Sequence, residues 1–278
     1  MGGALVLVAT PIGNLSDLSP RAVEALRTAD AICCEDSRRT GRLLEHAGVE
    51  RRAPFLVVND HTEVARIGEV LARLTRGERV AVVTDAGTPG ISDPGERLVR
   101  AAVADGHSVE IVPGPSAAVA ALVASGLPTG RFVFEGFLPR KGSGRTQRLA
   151  ELATERRTLV MYEAPHRLGR TLADLAAAFG IGRRVVIARE LTKLHEEMWR
   201  GSLGEAMAWT DDREPRGEFV IVVDGAPIAP PASDDEIRDA VDAALQRGLT
   251  ARDAAAEVAN VLNVPKRHAY AIAIDVQR

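Results

Sequence analysis

The chain has 278 residues, of which 46% are hydrophobic and 26% charged, and its formal net charge is −3. The length allows two domains, and the composition is that of a folded globular protein, which excludes a mainly disordered chain. No apolar stretch is long enough to span a bilayer, and the first residues lack the basic lead of a signal peptide. We therefore expect a cytoplasmic protein without a membrane partner.

The first part of the chain alternates short apolar runs with helical patterns. The runs are rich in Val and Ile and too short for helices, so they predict strands at Ala4–Ala9, Ala31–Cys34, Phe55–Val58, Val80–Thr84 and Val109–Val112. Helices are predicted between them, beginning at Ser19, Thr62 and Asp93 and, for the last two, ending at Gly77 and Gly106. This alternation indicates an α/β domain over residues 1–125 with a largely parallel sheet covered on both faces.

The only cysteines, Cys33 and Cys34, are adjacent in the second of these strands. Neighbouring residues on a strand point to opposite faces, so a disulfide between them would be strained. No Cys or His spacing typical of a metal centre is present. We expect two buried thiols and no metal site.

A second α/β domain is predicted over residues 126–228. Five runs read as strands, RFVFEGF, RTLVMYEA, RRVVIARE, HEEMWRG and GEFVIVVDG. The piece Glu196–Gly201 follows Arg189 closely enough to pair with it as a hairpin, so this sheet is expected to be mixed.

The end of the chain carries a third region, residues 229–278. The Pro-rich segment Ala226–Ser233 predicts a linker, and three amphipathic helices follow it. The last two have helix–turn–helix character over Leu249–Val276. A small helical cap on the sheet is the alternative, because the apolar faces alone require burial.

Charge is distributed unevenly along the chain. The segment Gly136–Arg189 contains eleven Lys and Arg against four acidic residues, which makes it +7 and leaves −10 for the remainder. Such asymmetry favours one face that meets an anion. A set of solvated helix faces is the other interpretation.

Three loops at the predicted carboxyl ends of strands are rich in Gly and Pro. They contain ATPIGNLSD, DAGTPGISDPG and PGPSAA, the last over Pro113–Ala118. Ligands of open α/β sheets bind at such ends, and Gly and Pro let the backbone approach a ligand closely. Neither a GxGxxG fingerprint nor a Walker loop is present, which argues against a dinucleotide site and nucleotide triphosphate hydrolysis. A pocket for a small ligand is predicted.

Five segments carry a resemblance to one known family. LVLVATPIGNLSDLSPRAVEAL, EDSRRTGRLL, VTDAGTPGISDPGERLV, VPGPSAAVAAL and MYEAPHR are similar to the signature runs of the bacterial 16S ribosomal RNA cytidine 2′-O-methyltransferases, a branch of the tetrapyrrole methylase superfamily. The likeness extends from about Ala4 to Gly225, and the helical tail resembles an extension of many members more loosely.

The resemblance implies a fold, a cofactor and partners. Members have two α/β domains of the class III methyltransferase type, with S-adenosylmethionine in the cleft between them, and form homodimers. The implied acceptor is a cytidine ribose, that of cytidine 1402, in the 16S RNA of the 30S subunit. Carried over by position, the residues that would line the cofactor are Pro11, Asp85, Ala86, Gly87, Ile91, Ser116, Ala117, Tyr162, Glu163, Gly217, Glu218 and Phe219.

For methyl transfer to a ribose hydroxyl, the hydroxyl must be aligned with the donor's methyl group, and the hydroxyl proton must be removed. Candidates for the proton step are Asp36, Glu163 and Lys141, with Glu35 beside them, and Asp36 is preferred because it follows the second strand. The other interpretation of EDSRR is a helix start that Asp36 or Ser37 caps, with the arginines in solvent.

Candidate RNA contacts come from exposed basic positions. The flexible segment Leu138–Arg145 and the two motifs EDSRR and APHR would supply Arg38, Arg39, Arg140, Lys141, Arg145, His166 and Arg167, which would hold phosphates rather than read bases. His166 could equally be a helix-start residue. Two other functions stay open, methylation of a tetrapyrrole or other small molecule and a ligand-sensing regulator that binds nucleic acid.

Overall fold

The computed structural model describes residues 3–211, 213–227 and 232–277. The chain divides into two compact units, Met1–Ala226 and Pro227–Arg278. The first unit holds both predicted α/β domains. Its strands are β1 (Ala4–Val8), β2 (Ala31–Cys34), β3 (Phe55–Val57), β4 (Arg79–Val82), β5 (Ser108–Val112), β6 (Phe132–Phe137), β7 (Thr158–Glu163), β8 (Arg184–Arg189), β9 (Glu197–Ser202) and β10 (Phe219–Val223). Its helices are α1 (Pro20–Arg27), α2 (Ser37–His46), α3 (Glu63–Thr75), α4 (Glu96–Ala104), α5 (Ala117–Ser125), α6 (Ser143–Ala153), α7 (Leu168–Phe179) and α8 (Leu203–Asp211).

The first sheet has the order β3-β2-β4-β1-β5, and all its pairs are parallel, as predicted. Alternate residues of β1 face opposite layers. Val6 packs with Leu26 of α1 and Leu44 of α2, whereas Leu5 packs with helices α3 and α4 on the other face. Because both faces are covered, each strand is a continuous apolar run.

One predicted helix start differs from the structure. Thr62 stands at the N-cap of α3 as predicted, although its hydroxyl donates to the Val57 carbonyl at 3.1 Å and forms no capping bond. The fourth helix begins at Glu96 rather than at Asp93, and Gly95, with φ +127°, stands at its N-cap. Asp93 therefore belongs to the loop before the helix.

The second sheet is mixed, as predicted, with the order β6-β7-β10-β8-β9. Only β6 and β7 pair in parallel, and β8 and β9 form the expected antiparallel hairpin. Apolar residues of β7, β8 and β10, among them Met161, Ile187 and Ile221, are fully buried with helices α6, α7 and α8 against them. Cys33 and Cys34 are buried free thiols in the first sheet.

The second unit contains the three predicted helices α9 (Asp234–Gln246), α10 (Ala251–Val261) and α11 (Lys266–Val276). Ser233 and Glu236 form a reciprocal capping box at the start of α9. Ile237, Val258 and Ile272 belong to a core that the three helices build with one another. Part of the predicted linker, and with it the predicted boundary at 228, lies outside the described residues. Among the helices that are described, none has the length and apolarity to cross a membrane.

Candidate active site

A cavity of about 410 Å³ lies where the carboxyl ends of the first sheet meet the second sheet. The loops after β1, β2, β4 and β5 form one side of it, and residues of β7, β8 and β10 form the other. This is the place where open α/β sheets bind ligands, and the volume lies in the usual range of about 300–1,000 Å³ for small-molecule sites.

The loop from Asp85 to Gly95 needs its turn residues for its backbone path. Gly87, Gly90 and Gly95 all have φ above +80°, a region that other residues rarely adopt. The Gly87 carbonyl accepts a hydrogen bond from the Thr10 N–H at 2.8 Å, and its N–H donates back to Thr10, which joins this loop to the first one. The loop is thus folded back over the sheet edge as one wall of the cavity.

Glu63 holds the far end of this loop, and its role was not predicted. The buried side chain accepts hydrogen bonds at Oε1 from the N–H groups of Gly95, Arg97 and Leu98, at 3.0, 2.9 and 3.2 Å. These donors belong to the start of α4, where Gly95 has no side chain to cap them. A carboxylate from α3 therefore does what a local N-cap residue usually does.

Most of the residues expected at the cofactor line this cavity. They are Asp85, Ala86, Gly87, Ile91, Ser116, Ala117, Tyr162, Glu163, Glu218 and Phe219. Pro11 and Gly217 do not. Pro11 lines a neighbouring cavity, and Gly217, with φ +91°, lies so close to Glu190 that a Cβ would come within 2.5 Å of its side chain.

Other lining residues were not expected at the cofactor. Asp93 was missed because it was assigned to a helix start, and Phe137 because it comes from a strand end of the second domain. The rings of Phe137 and Tyr162 pack edge to face at 5.7 Å and form an aromatic wall. The turn-forming sequence around Asp93 was the one signal that could have placed it in a loop.

Three carboxylates give the cavity an acidic side. Burial raises the pKa of Glu35 and of Asp85. The nearby negative charge of Asp85 raises the pKa of Glu35 further. Burial and the charges of Glu35 and Asp85 raise the pKa of Asp93 to about 7. Arg39 Nη1 lies 3.3 Å from Asp85 Oδ2, whereas Glu35 and Asp93 have no ion pair within the described part of the chain, so the protein compensates this negative charge only in part.

The preferred catalytic residue, Asp36, does not line the cavity. Its Oδ1 accepts the Arg38 N–H at 2.8 Å and thereby caps α2, and its carboxylate pairs with the Arg38 guanidinium in solvent. The alternative interpretation of EDSRR as a helix start is therefore correct in geometry. Glu35, the residue before it, points into the cavity instead.

The other two catalytic candidates, Glu163 and Lys141, are not placed as a free base in the cavity would be. Glu163 is 3% exposed, and its carboxylate accepts the Thr171 hydroxyl at 2.6 Å and pairs with Arg167 at 3.1 Å. Lys141 is exposed in the segment after β6 and is not a wall residue of the cavity.

The candidate RNA residues divide into exposed and internal side chains. Arg38, Arg39, Arg140, Lys141 and His166 are exposed. Arg145 does not fit the prediction of a flexible, exposed phosphate contact. Its side chain is buried, pairs with Asp174 at 2.7 Å and donates to the Pro139 carbonyl and the Thr171 hydroxyl.

A groove of about 620 Å³ extends from the cavity on the side of the second domain. It shares Phe137 and Ala164 with the cavity and carries Arg140, His166 and Arg170. Arg167 lies there too, but its guanidinium is bound to Glu163 and to the Leu138 carbonyl. Within the described residues, no group of three or more His, Cys, Asp or Glu is arranged to hold a metal ion.

The two-sheet fold and its cavity define a class III methyltransferase of the tetrapyrrole methylase type. A family model described as tetrapyrrole (corrin/porphyrin) methylases matches residues 4–207. The solved structure of the methyltransferase CobJ superimposes with a TM-score of 0.62, at 23% identity, over 84% of this chain and 98% of that one.

Closer relatives narrow the assignment. A protein of Synechocystis named ribosomal RNA small subunit methyltransferase I is 46% identical over 99% of both chains. One of the same name from Xylella fastidiosa is 49% identical over 96% of this chain and 98% of its own length. The chain belongs to this family, the ribosomal RNA small subunit methyltransferases I within the tetrapyrrole methylases.

Proposed function

We propose that the protein transfers a methyl group from S-adenosylmethionine to the ribose 2′-hydroxyl of a cytidine in 16S ribosomal RNA, at cytidine 1402 by family resemblance. The observation that carries the proposal is the acidic cavity beneath the Asp85–Gly95 loop, in a chain whose relatives share the name of a ribosomal RNA methyltransferase. We propose the cytoplasm, where the 30S subunit is found, as the place of action.

The residues of the cavity fit the cofactor's chemistry. When bound, S-adenosylmethionine supplies a methyl group on a positively charged sulfur. The partly uncompensated charge of Glu35, Asp85 and Asp93 suits such a cation. Backbone groups of the turn-rich loop suit its polar amino acid and ribose parts, and the wall of Phe137 and Tyr162 suits a flat ring.

Glu35 replaces Asp36 as the group that we assign to the proton step. It lines the cavity, whereas Asp36 is occupied at the start of α2. A carboxylate whose pKa is raised by burial is a stronger base than an exposed one, which suits removal of a proton from a hydroxyl. Glu163 instead accepts a hydrogen bond from Thr171 and pairs with Arg167, so we assign it a role in fixing these two side chains beside the cavity.

RNA is the favoured acceptor because exposed basic side chains flank the cavity on both sides. Arg39 stands on the side of the first domain, and Arg140, His166 and Arg170 stand along the groove of the second. A tetrapyrrole acceptor remains the second candidate, since the family model takes its name from such methylases.

We also propose a homodimer. Helix α5 is apolar on all sides, and the described residues cover one of them, where Ala121 and Leu122 pack on the second sheet. Val119 and Val123, one turn apart, are 49% and 69% exposed. A second copy would cover this face.

The experiment that tests the function offers labelled S-adenosylmethionine and several acceptors to the purified protein. We expect transfer to 30S subunits and to no tetrapyrrole, with naked 16S RNA as a parallel acceptor. Transfer to a tetrapyrrole but to neither RNA substrate would favour the second candidate. Binding of the cofactor without transfer to any of them would favour the regulator.

A further inference from the structure

A second cavity, of about 360 Å³, lies beside the first on the side of helix α2. Thr10, Pro11 and Thr84 of the strand ends form one part of it, and side chains of α2 form the other. Arg39 and Asp85 line both cavities, so this ion pair is the boundary between them.

The second cavity carries a positive charge that the protein does not neutralise. Arg39 and Arg42 lie three residues apart on α2 and therefore on one face of the helix. Arg39 is paired with Asp85, but Arg42 is exposed and makes no ion pair within the described ranges 3–211, 213–227 and 232–277. A guanidinium at the mouth of a cavity binds phosphate oxygens well, because its donors match their geometry.

The remaining walls suit a sugar better than a flat base. Thr10, Thr40 and Thr84 are buried, and the Thr10 hydroxyl donates to the Thr84 carbonyl at 3.2 Å. The described aromatic side chains are absent from this lining, unlike that of the first cavity, where Phe137 and Tyr162 stand. Pro11, Leu15 and Leu43 add apolar surface to these walls, and the cavity borders the first one at Arg39 and Asp85.

We propose that this second cavity binds the ribose-phosphate of the acceptor nucleotide, with Arg42 on its phosphate and the sugar against the Arg39–Asp85 boundary. The inference rests on the proposed function, because it places the acceptor next to the cavity assigned to the methyl donor. It also gives Pro11 a role at the acceptor rather than at the cofactor. Arg42 was not among the residues that the sequence singled out.

Arg38 supplies a matched comparison on the same helix. Its side chain is 87% exposed, pairs with Asp36 and lines neither cavity. Arg38→Ala and Arg42→Ala each remove one positive charge from α2, so a general electrostatic contribution to RNA binding affects both. Only a phosphate contact in the cavity makes Arg42→Ala the more severe change.

The test measures the Kd for 30S subunits at several salt concentrations and the cofactor Kd by calorimetry. For Arg42→Ala we expect about tenfold weaker subunit binding and a salt slope lower by about 0.7–0.9, with the cofactor Kd unchanged. Arg42→Lys should recover part of the affinity, and Arg38→Ala should lose less than threefold. Equal losses for Arg38→Ala and Arg42→Ala, with an active parent protein, would overturn the subsite alone. A parent protein that methylates no RNA would overturn the proposed function instead.

Discussion

At the scale of single residues, the adjacent carboxylates Glu35 and Asp36 show how one peptide bond separates two roles. Asp36 faces solvent, where the hydrogen bonds from Arg38 hold its pKa below the usual value. Glu35 faces the cavity, where burial and the charge of Asp85 raise its pKa. The end of β2 turns one side chain inward and leaves the next to cap α2.

The pair allows a direct test of the proton step. Glu35→Gln should lower kcat by about 10²–10⁴-fold, the usual contribution of a general base, and flatten the pH–rate profile. Asp36→Asn should change kcat less than tenfold, because asparagine also caps helices well. A larger loss for Asp36→Asn than for Glu35→Gln, measured at saturating cofactor and RNA, would return the role to Asp36.

Asp93 should make cofactor binding depend on pH. Its pKa of about 7 reflects burial and the negative charges of Glu35, Asp85, Asp60 and Glu218 around it. Below pH 7 it is neutral, and above pH 7 its charge attracts the sulfonium, so the affinity for S-adenosylmethionine should increase from pH 6 to pH 8.

Calorimetry across this pH range, on the parent and on Asp93→Asn, checks the prediction. The variant should show a weaker pH dependence and resemble the parent at low pH. The neutral product S-adenosylhomocysteine serves as the control ligand, because without a sulfonium it should respond less. Equal pH dependence for parent and variant would contradict the assignment to Asp93.

At the scale of elements, helix α4 and the loop before it depend on a side chain from α3. Glu63→Ala should destabilise the protein by about 2 kcal/mol or more, because three backbone N–H groups at the start of α4 lose their acceptor. Glu63→Gln should cost less, since its amide oxygen still accepts. Urea denaturation measures both, and equal costs would show that an acceptor at this position is unimportant.

The same region shows what the sequence could predict. The parallel sheet and the hairpin of β8 and β9 follow from apolar runs and short connections, which are local signals. The start of α4 was misplaced because Asp93 and Pro94 resemble a helix start, whereas the true cap is Glu63, more than thirty residues away along the chain. Long-range hydrogen bonds of this kind leave no local pattern.

The candidate site, like the fold, was predictable only in part from the sequence. Most of the residues that the family resemblance assigned to the cofactor lie on the cavity wall, but the resemblance did not distinguish Glu35 from Asp36. Arg145 looked like a flexible phosphate contact because a run of Gly, Ser and basic residues surrounds it. The fold buries it against Asp174 and Thr171, which the sequence could not indicate.

At the scale of the whole molecule, the positive segment Gly136–Arg189 is less concentrated than its sequence suggests. Arg148 pairs with Glu135 and Glu151, Arg157 pairs with Glu155, and Arg145 is internal. Of the exposed cations that remain, Arg140 and Arg170 line the groove beside the cavity, whereas Lys141 and Arg156 line neither. The basic side chains beside the cavity, rather than the net charge of the segment, therefore favour RNA as the acceptor.

Assembly is the second property at this scale. Val123→Asp should convert a dimer into a monomer, because it places a charge in the exposed apolar face of α5. Val103→Asp on α4 is the matched control, since Val103 is 61% exposed outside that face. Light scattering at micromolar concentration reads the mass. A parent protein with the mass of one chain would contradict the dimer.

Identification of the methylated nucleoside tests the proposed function most directly. After reaction of the protein and S-adenosylmethionine with 30S subunits that lack the modification, the 16S RNA is digested to nucleosides and analysed by mass spectrometry. We expect cytidine that carries the new methyl group on its ribose, with none on its base. A methyl group on the base, or on another nucleoside, would contradict the proposed function.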